Sequence, residues 1–290
     1  MKVLLLGASG FLGSNFLKNL KSNKYEFLCL SRSPPRLKRF KFKRCDLNNT
    51  SQFKKIVEKF KPNICLDLSW QGIPNYTKKN NLFNFSNKKK IYNILASYKC
   101  EKIISIGSCW EYGDLKKKVK ENNNSKIKLN NFAESKIKIL NFLKKLNKTN
   151  NIKFIWGRLF FVYGPYAKKT SLLENLIFHY KVKKKFNLKN TTGCNDFIYV
   201  RDACNIIKDL TFKNLKSGIY NIGSGNCSSN LEFLNTFLKV LKLKYKLKFH
   251  PKKECLRSDN SKIYRNISYR VNYNLTKGIK ETLKVYNIIY

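Results

Sequence analysis

The segment Gly7-Ala8-Ser9-Gly10-Phe11-Leu12-Gly13 constrains this chain more than any other stretch. It follows the apolar run Val3-Leu4-Leu5-Leu6 and precedes Phe16, Leu17 and Leu20, which are spaced as on one face of a helix. The pattern reads as strand, tight turn and helix. Three glycines spaced by three let the backbone turn sharply and let a phosphate approach the helix. The unpaired N–H groups and positive dipole end of that helix then face the anion. A strand and a helix on either side are the context in which such a turn holds a dinucleotide.

Strand-like and helix-like segments alternate through the first two thirds of the sequence. Residues 2–6, 25–30, 63–69, 102–107 and 153–160 read as buried strands, and helical patterns fall near 12–22, 51–60, 82–98 and 132–148. This rhythm predicts an α/β fold, a Rossmann-type doubly wound parallel sheet. The Lys- and Asn-rich loop 113–131 is expected to be mobile. After Gly164-Pro165 a helix is expected near 170–184, then a short strand at 186–189. The stretches 196–211 and 217–222 read as returning to the main sheet. Ser229-Asn230-Leu231-Glu232 has capping-box spacing and opens a helix to about 241. A strand near 245–249 and a helix near 275–288 complete the expectation. Residues 1–165 are thus assigned to the nucleotide-binding domain, with 191–222 rejoining it. Residues 166–190 and 223–290 form mainly a small discontinuous C-terminal substrate lobe.

Charge asks for an explanation. Sixty basic residues face 17 acidic ones, a net charge of +43, and only nine of the sixty are arginine. Such a field attracts polyanions. The lysines are spread along the whole chain with no recognition motif, so they read as a solvated surface rather than a nucleic-acid site. No apolar run approaches the roughly 18 residues of a membrane span, and the leucines after Lys2 are too few for a signal peptide. Nine cysteines without a CxxC pair, beside two histidines, exclude the usual metal spacings. They read as reduced thiols of a cytoplasmic protein.

Together with the glycine turn, four further segments resemble the extended short-chain dehydrogenase/reductase family, the NAD-dependent epimerase/dehydratase group acting on nucleotide sugars. They are Ser105–Gly113 (SIGSCWEYG), Arg158–Pro165 (RLFFVYGP), Asp196–Asp202 (DFIYVRD) and Ile219–Gly225 (IYNIGSG). Asp259-Asn260-Ser261-Lys262, followed by Gly278–Thr282, is similar to the family's closing pattern. The resemblance implies a serine that hydrogen-bonds the substrate oxygen, which spacing to Tyr112-Gly113 puts at Ser108. It also implies a Tyr-x-x-x-Lys pair on the next helix. The lysine of that pair holds the nicotinamide ribose and lowers the tyrosine's pKa. Here the segment reads Phe132-Ala133-Glu134-Ser135-Lys136, with phenylalanine at the tyrosine's position. Phenylalanine keeps the ring and loses the ionisable atom. Tyr98 with Lys102 and Tyr180 with Lys184 share the spacing but not the context. Tyr112 and Glu111 stand near enough in sequence to be weighed as substitutes, Tyr112 more as a packing residue.

Other departures narrow the reaction. Cys109-Trp110 replace the Asp-Glu pair of the 4,6-dehydratases, which argues against dehydration. Cys109 reads as a small buried residue, and Phe161 stands where family members often place an asparagine for the diphosphate. For the cofactor, the resemblance implies contacts from Gly7, Ser9, Gly10, Phe11, Leu12, Gly13, Asp46, Leu47, Ser69 and Lys136. The second strand ends Cys29-Leu30-Ser31-Arg32-Ser33, with no acid for a ribose 2′-hydroxyl. Arg32 favours a 2′-phosphate, hence NADP over NAD. The expectation is an NAD(P)-dependent nucleotide-sugar epimerase or reductase, impaired by the lost tyrosine; the alternative is a dinucleotide-binding pseudoenzyme. Family resemblance also implies homodimers.

Overall fold

In the computed structural model the described residues are all except 21–23, 126, 187–189, 192 and 244–253. The expected strand at 245–249 and most of that at 186–189 lie outside them. The strands are β1 (Lys2–Leu6), β2 (Glu26–Ser31), β3 (Lys41–Arg44), β4 (Ile64–Asp67), β5 (Lys102–Ser108), β6 (Lys118–Val119), β7 (Lys153–Leu159), β8 (Phe161–Tyr163), β9 (Cys194–Asn195), β10 (Phe197–Tyr199), β11 (Gly218–Ile222), β12 (Ser228–Ser229) and β13 (Arg257–Ser258). The helices are α1 (Phe11–Asn19), α2 (Thr50–Phe60), α3 (Lys78–Ser97), α4 (Asn131–Asn150), α5 (Leu172–Lys181), α6 (Val200–Phe212), α7 (Asn230–Val240), α8 (Ser261–Asn266) and α9 (Leu275–Val285).

Seven strands form one sheet in the order β11-β7-β5-β4-β1-β2-β3. Val3 lies beside Phe27 of β2 and Ile64 of β4, both in parallel register. The chain runs outward from β1 to β3 and then crosses back to β4 on the other side of β1. The glycine turn after β1 therefore stands at the topological switch point, where open α/β sheets bind ligands. Strands β1 and β4 are almost wholly buried, as expected for a sheet covered on both faces. β3 was not expected: its KFKR sequence carries three cations, which suit an exposed edge strand.

Helices form where apolar residues recur at three and four. α2 buries Phe53, Ile56, Val57 and Phe60, and the Asn49 side chain caps it by accepting from Gln52 N. α4 starts at Asn130, whose side chain accepts from Ala133 N at 2.9 Å, and ends at Asn151 in a left-handed conformation. Its buried stripe reads Phe132, Lys136, Leu140 and Leu143, so one lysine interrupts an otherwise apolar face. α2, α3 and α4 bury apolar residues against the sheet, with Phe53, Ile91 and Leu143 in one buried cluster with Leu4 and Ile103.

The chain divides into two compact units. The first comprises Met1–Gly113, Asn124–Arg158 and Cys204–Tyr220; the second comprises Asp114–Asn123, Leu159–Ala203 and Asn221–Tyr290. The second unit thus includes 114–123, 159–165, 191–203 and 221–222 in addition to the segments expected for the lobe. Of the stretch 196–211, residues 204–211 return to the first unit, but no strand of it joins the main sheet. Phe197–Tyr199 pairs with Phe161–Tyr163 in a separate two-stranded ribbon, and α6 follows at once. Residues 218–222 do reach the main sheet's edge.

Within the second unit, buried Asp196 accepts from Ser224 N, Ser224 Oγ, Gly225 N, Ser258 N and Ser258 Oγ at 2.6–3.1 Å. By drawing Ser224 and Ser258 together it brings their neighbours Cys227 and Cys255 within disulfide range, and these two are bonded. The expectation of reduced thiols throughout is corrected for this pair. The other seven cysteines form no disulfide, and six of them are buried. Part of the loop expected to be mobile is held in the same unit. β6 pairs with β13, Val119 is buried, and its carbonyl accepts from Asn221 Nδ2. Among the described residues, no helix is long and apolar enough to cross a membrane.

Candidate active site

All the residues that follow lie in the first unit. Gly7 takes φ +81° and donates to Leu30 O at 2.9 Å, and a side chain there would meet the backbone of Leu68 and Ser69. It is the point where the ends of β1, β2 and β4 converge. Gly13 packs so tightly that a Cβ would run into Gly7 O and the Ala8 backbone. Gly10 caps α1 without any side-chain acceptor, and among the described residues buried Ser14 Oγ in the second turn has no partner. The first turn of α1, with Phe11 and Leu12, therefore keeps its N–H groups for an outside anion. The cradle fits a dinucleotide's pyrophosphate.

Around it, Ser33 Oγ donates to Ser9 Oγ at 3.1 Å, Ser31 Oγ donates to Ser33 O, and Arg32 is exposed just beyond β2. Asp46 is exposed and accepts from Asn48 N, while Leu47 packs against the core. Ser69 Oγ donates to Asp67 at 2.6 Å and accepts from Lys88. Asp67 is itself wholly buried, paired with Lys88 and bonded by the Tyr92 hydroxyl at 2.7 Å. Burial alone would raise its carboxyl pKa. The Lys88 ammonium, with the hydrogen bonds from Ser69 and Tyr92, outweighs that and holds it below the usual carboxylate range.

Ser108 ends β5 and opens a tight turn of 3₁₀ helix, Cys109–Tyr112. Its Oγ accepts from Trp110 N at 3.2 Å, leaving the hydroxyl proton for an acceptor. Glu111 closes the capping box by accepting from Ser108 N at 2.8 Å, and also takes Trp156 Nε1 and Arg158 Nε. Gly107 is glycine because the Trp156 indole and the Glu111 carboxylate fill the space of a side chain. Tyr112 is 0 % exposed, with the Arg158 guanidinium 4.4 Å from its ring centre. Cys109 is buried beside it.

Phe132 begins the buried stripe of α4 and is 7 % exposed. Three rings surround it: Trp70 at 5.3 Å, Tyr76 at 4.7 Å and Trp110 at 5.6 Å between centroids. One turn on, Lys136 is 6 % exposed and donates to Ile106 O at 2.7 Å. Its Nζ stands 3.7 Å from the Trp70 ring centre. Burial, then the Lys88 charge, bring its pKa down to about 7. The structure thus gathers Ser108, Phe132 and Lys136 and adds the aromatic enclosure, which the sequence reading missed. A signal was available. All three tryptophans of the chain gather here, two against Phe132 and one on Glu111.

The sequence model of the NAD dependent epimerase/dehydratase family matches residues 3–223. The chain belongs to this family. Among curated members, the ADP-L-glycero-D-manno-heptose-6-epimerase of Brachyspira hyodysenteriae is 26% identical over 264 residues, covering 83% of this chain and 81% of the relative. The family fold is shared with the UDP-glucose 4-epimerase of Thermus thermophilus, solved with NAD. That structure gives a TM-score of 0.86 at 18% identity, covering 99% of each chain. A tyrosine-to-phenylalanine mutant of the UDP-glucuronic acid 4-epimerase of Bacillus cereus, solved with NAD and UDP-4-deoxy-4-fluoro-glucuronic acid, gives 0.83 at 21% identity and covers 100% of each chain.

Proposed function

We infer that this family member is an NAD(P)-dependent nucleotide-sugar epimerase or reductase that works without the tyrosine. The observation that carries the reading is the combination of an open glycine cradle at the switch point with Ser108 and Lys136 gathered beyond it. A dinucleotide held there would supply the hydride acceptor and donor. The chain's own residues divide the remaining tasks. The N–H groups of Phe11, Leu12 and Gly13 hold the pyrophosphate, and Ser69 and Leu47 lie where the dinucleotide passes. Ser108 donates to the sugar oxygen whose carbon is oxidised or reduced, and Lys136 sits where the nicotinamide ribose is held. Trp70, Tyr76 and Trp110 keep water away from that oxygen. The exposed Arg32 and the hydroxyls of Ser31 and Ser33 favour the 2′-phosphate of NADP, while the solved neighbours named above hold NAD.

Tyr112 and Glu111 are poor sources of the proton. One is sealed beneath Arg158, and the other already takes three donors. The second reading, a dinucleotide-bound pseudoenzyme, draws on the same facts and on the ring-packed Phe132. Incubating the purified chain with NAD, NADP and a panel of ADP-, UDP- and GDP-sugars separates the two. Reduced nicotinamide or an epimerised sugar supports the enzyme. A bound dinucleotide with no conversion supports the pseudoenzyme.

A further inference from the structure

Lys136 is a buried cation with an unusual set of neighbours. Among the described residues, no carboxylate pairs with it. The charged and titratable groups packed around it are otherwise engaged: Lys88 of α3 with Asp67 of β4, Tyr92 with Asp67, and Glu111 with Arg158 of β7. Tyr112 lies against Arg158, and Tyr76 contributes its ring to the enclosure around Phe132. What holds the amine in place is neutral, namely the Ile106 carbonyl and the Trp70 face. Both accept from an ammonium, and neither prevents its deprotonation. Ile106 lies two residues before Ser108 on β5, about 7 Å along the strand. The amine is therefore fixed on the strand that ends at the serine, and one helical turn from the ring that lacks a hydroxyl.

We propose that Lys136 is itself the proton-transfer group of this site, its amine taking and returning the sugar hydroxyl proton that Phe132 cannot carry. In the oxidative direction the hydroxyl proton passes to the neutral amine, which becomes ammonium. The carbon's hydrogen leaves with two electrons for the nicotinamide, and a carbonyl remains. In the reductive direction the ammonium gives its proton to the forming alkoxide as the hydride returns. Electrons and protons balance with no further reactant. The near-neutral titration of the buried amine suits both directions at the pH of a cell. The proposal rests on the enzymatic reading above and assigns its missing residue.

The test uses the full chain labelled with ¹⁵N-lysine. NMR follows the Lys136 amine against pH with dinucleotide bound, and Lys136→Arg, or Lys136→Met should arginine not fold, identifies its resonance. Oxidation of the best sugar of the panel is then followed across the same range. The expected results are an amine midpoint of about 7 and an oxidation rate that rises through the same midpoint, because the base must be neutral. Lys136→Arg should cut that rate about 10²-fold or more, with dinucleotide affinity kept within about tenfold, since arginine holds a ribose but never deprotonates. An amine charged up to the ordinary lysine range near about 10, or an arginine variant that turns over normally, would overturn the proposal. Tyr76→Phe failing as deeply as Lys136→Arg would do the same. No conversion of any sugar, with dinucleotide bound, would remove the enzymatic reading and this proposal together.

Discussion

The ε-amine of Lys136 stands 5.6 Å from the centre of the Phe132 ring, one turn earlier on the same buried face of α4. The enclosure at 132 is apolar and ring-packed, so a hydroxyl added there gains no assured partner. With the amine already able to move the proton, Phe132→Tyr is expected to change turnover by less than about tenfold, against the 10²–10⁴ usual for an essential acid or base. Coupled turnover assays check this. A gain of about 10²-fold or more would mark a decayed catalyst instead.

Gly13→Ala should act on cofactor and stability together. The added Cβ meets Gly7 O and the Ala8 backbone, neither of which can swing aside. α1 must shift away from the turn, at a cost of about 2 kcal/mol in urea unfolding. Dinucleotide affinity should fall more than about tenfold, because pyrophosphate binding depends on the helix N–H groups being aimed at it.

Lys102 gives a pH prediction away from the site. Its amine donates to Leu210 O, Thr211 O and Lys213 O at the end of α6, and burial lowers its pKa to about 8. Between about 8 and the unfolded value near about 10.4, the unfolded chain binds the extra proton, so this residue makes stability rise with pH. Below that window its burial penalty is fully present. Lys102→Met should flatten the rise in denaturant midpoint from pH 8 to 10, and should also destabilise the fold by about 2 kcal/mol through the orphaned carbonyls.

Arg32 is expected to decide between the two dinucleotides. It is exposed beyond β2, with Ser31 and Ser33 on either side. Arg32→Ala should weaken NADP binding by about tenfold, the equivalent of about 1.4 kcal/mol, and leave NAD within about threefold. Equal losses for both would show that it serves packing rather than the 2′-phosphate.

How far the fold could be read in advance follows from burial. β1, β2, β4, β5 and β7 are apolar runs because both sheet faces are covered, so they stand out in sequence. β3 does not, because an edge strand carries lysines. The ribbon of β8 with β10 is too short to carry a period, and its pairing is set by residues 36 positions apart. In the site, the family resemblance pointed to Ser108 and Lys136, and Phe132 was visible as a departure from its motif. What spacing could not give was occupancy. The sealing of Tyr112 under Arg158, the Trp156 and Arg158 donors on Glu111 and the rings around Phe132 all arise from strands and loops distant in sequence. One trace was present: a lysine on the apolar stripe Phe132, Lys136, Leu140, Leu143 had to be buried or to break the helix's packing.

The central claim is that the turn after β1 cradles a redox dinucleotide. Calorimetric titration of the purified full chain with NADP and with NAD tests it most directly. The account expects saturable binding at one site per chain with a Kd on the order of 1 µM, about −8 kcal/mol, tighter for NADP and abolished or strongly weakened in Gly13→Ala. No binding heat with either dinucleotide, from a chain shown to be folded, would contradict it.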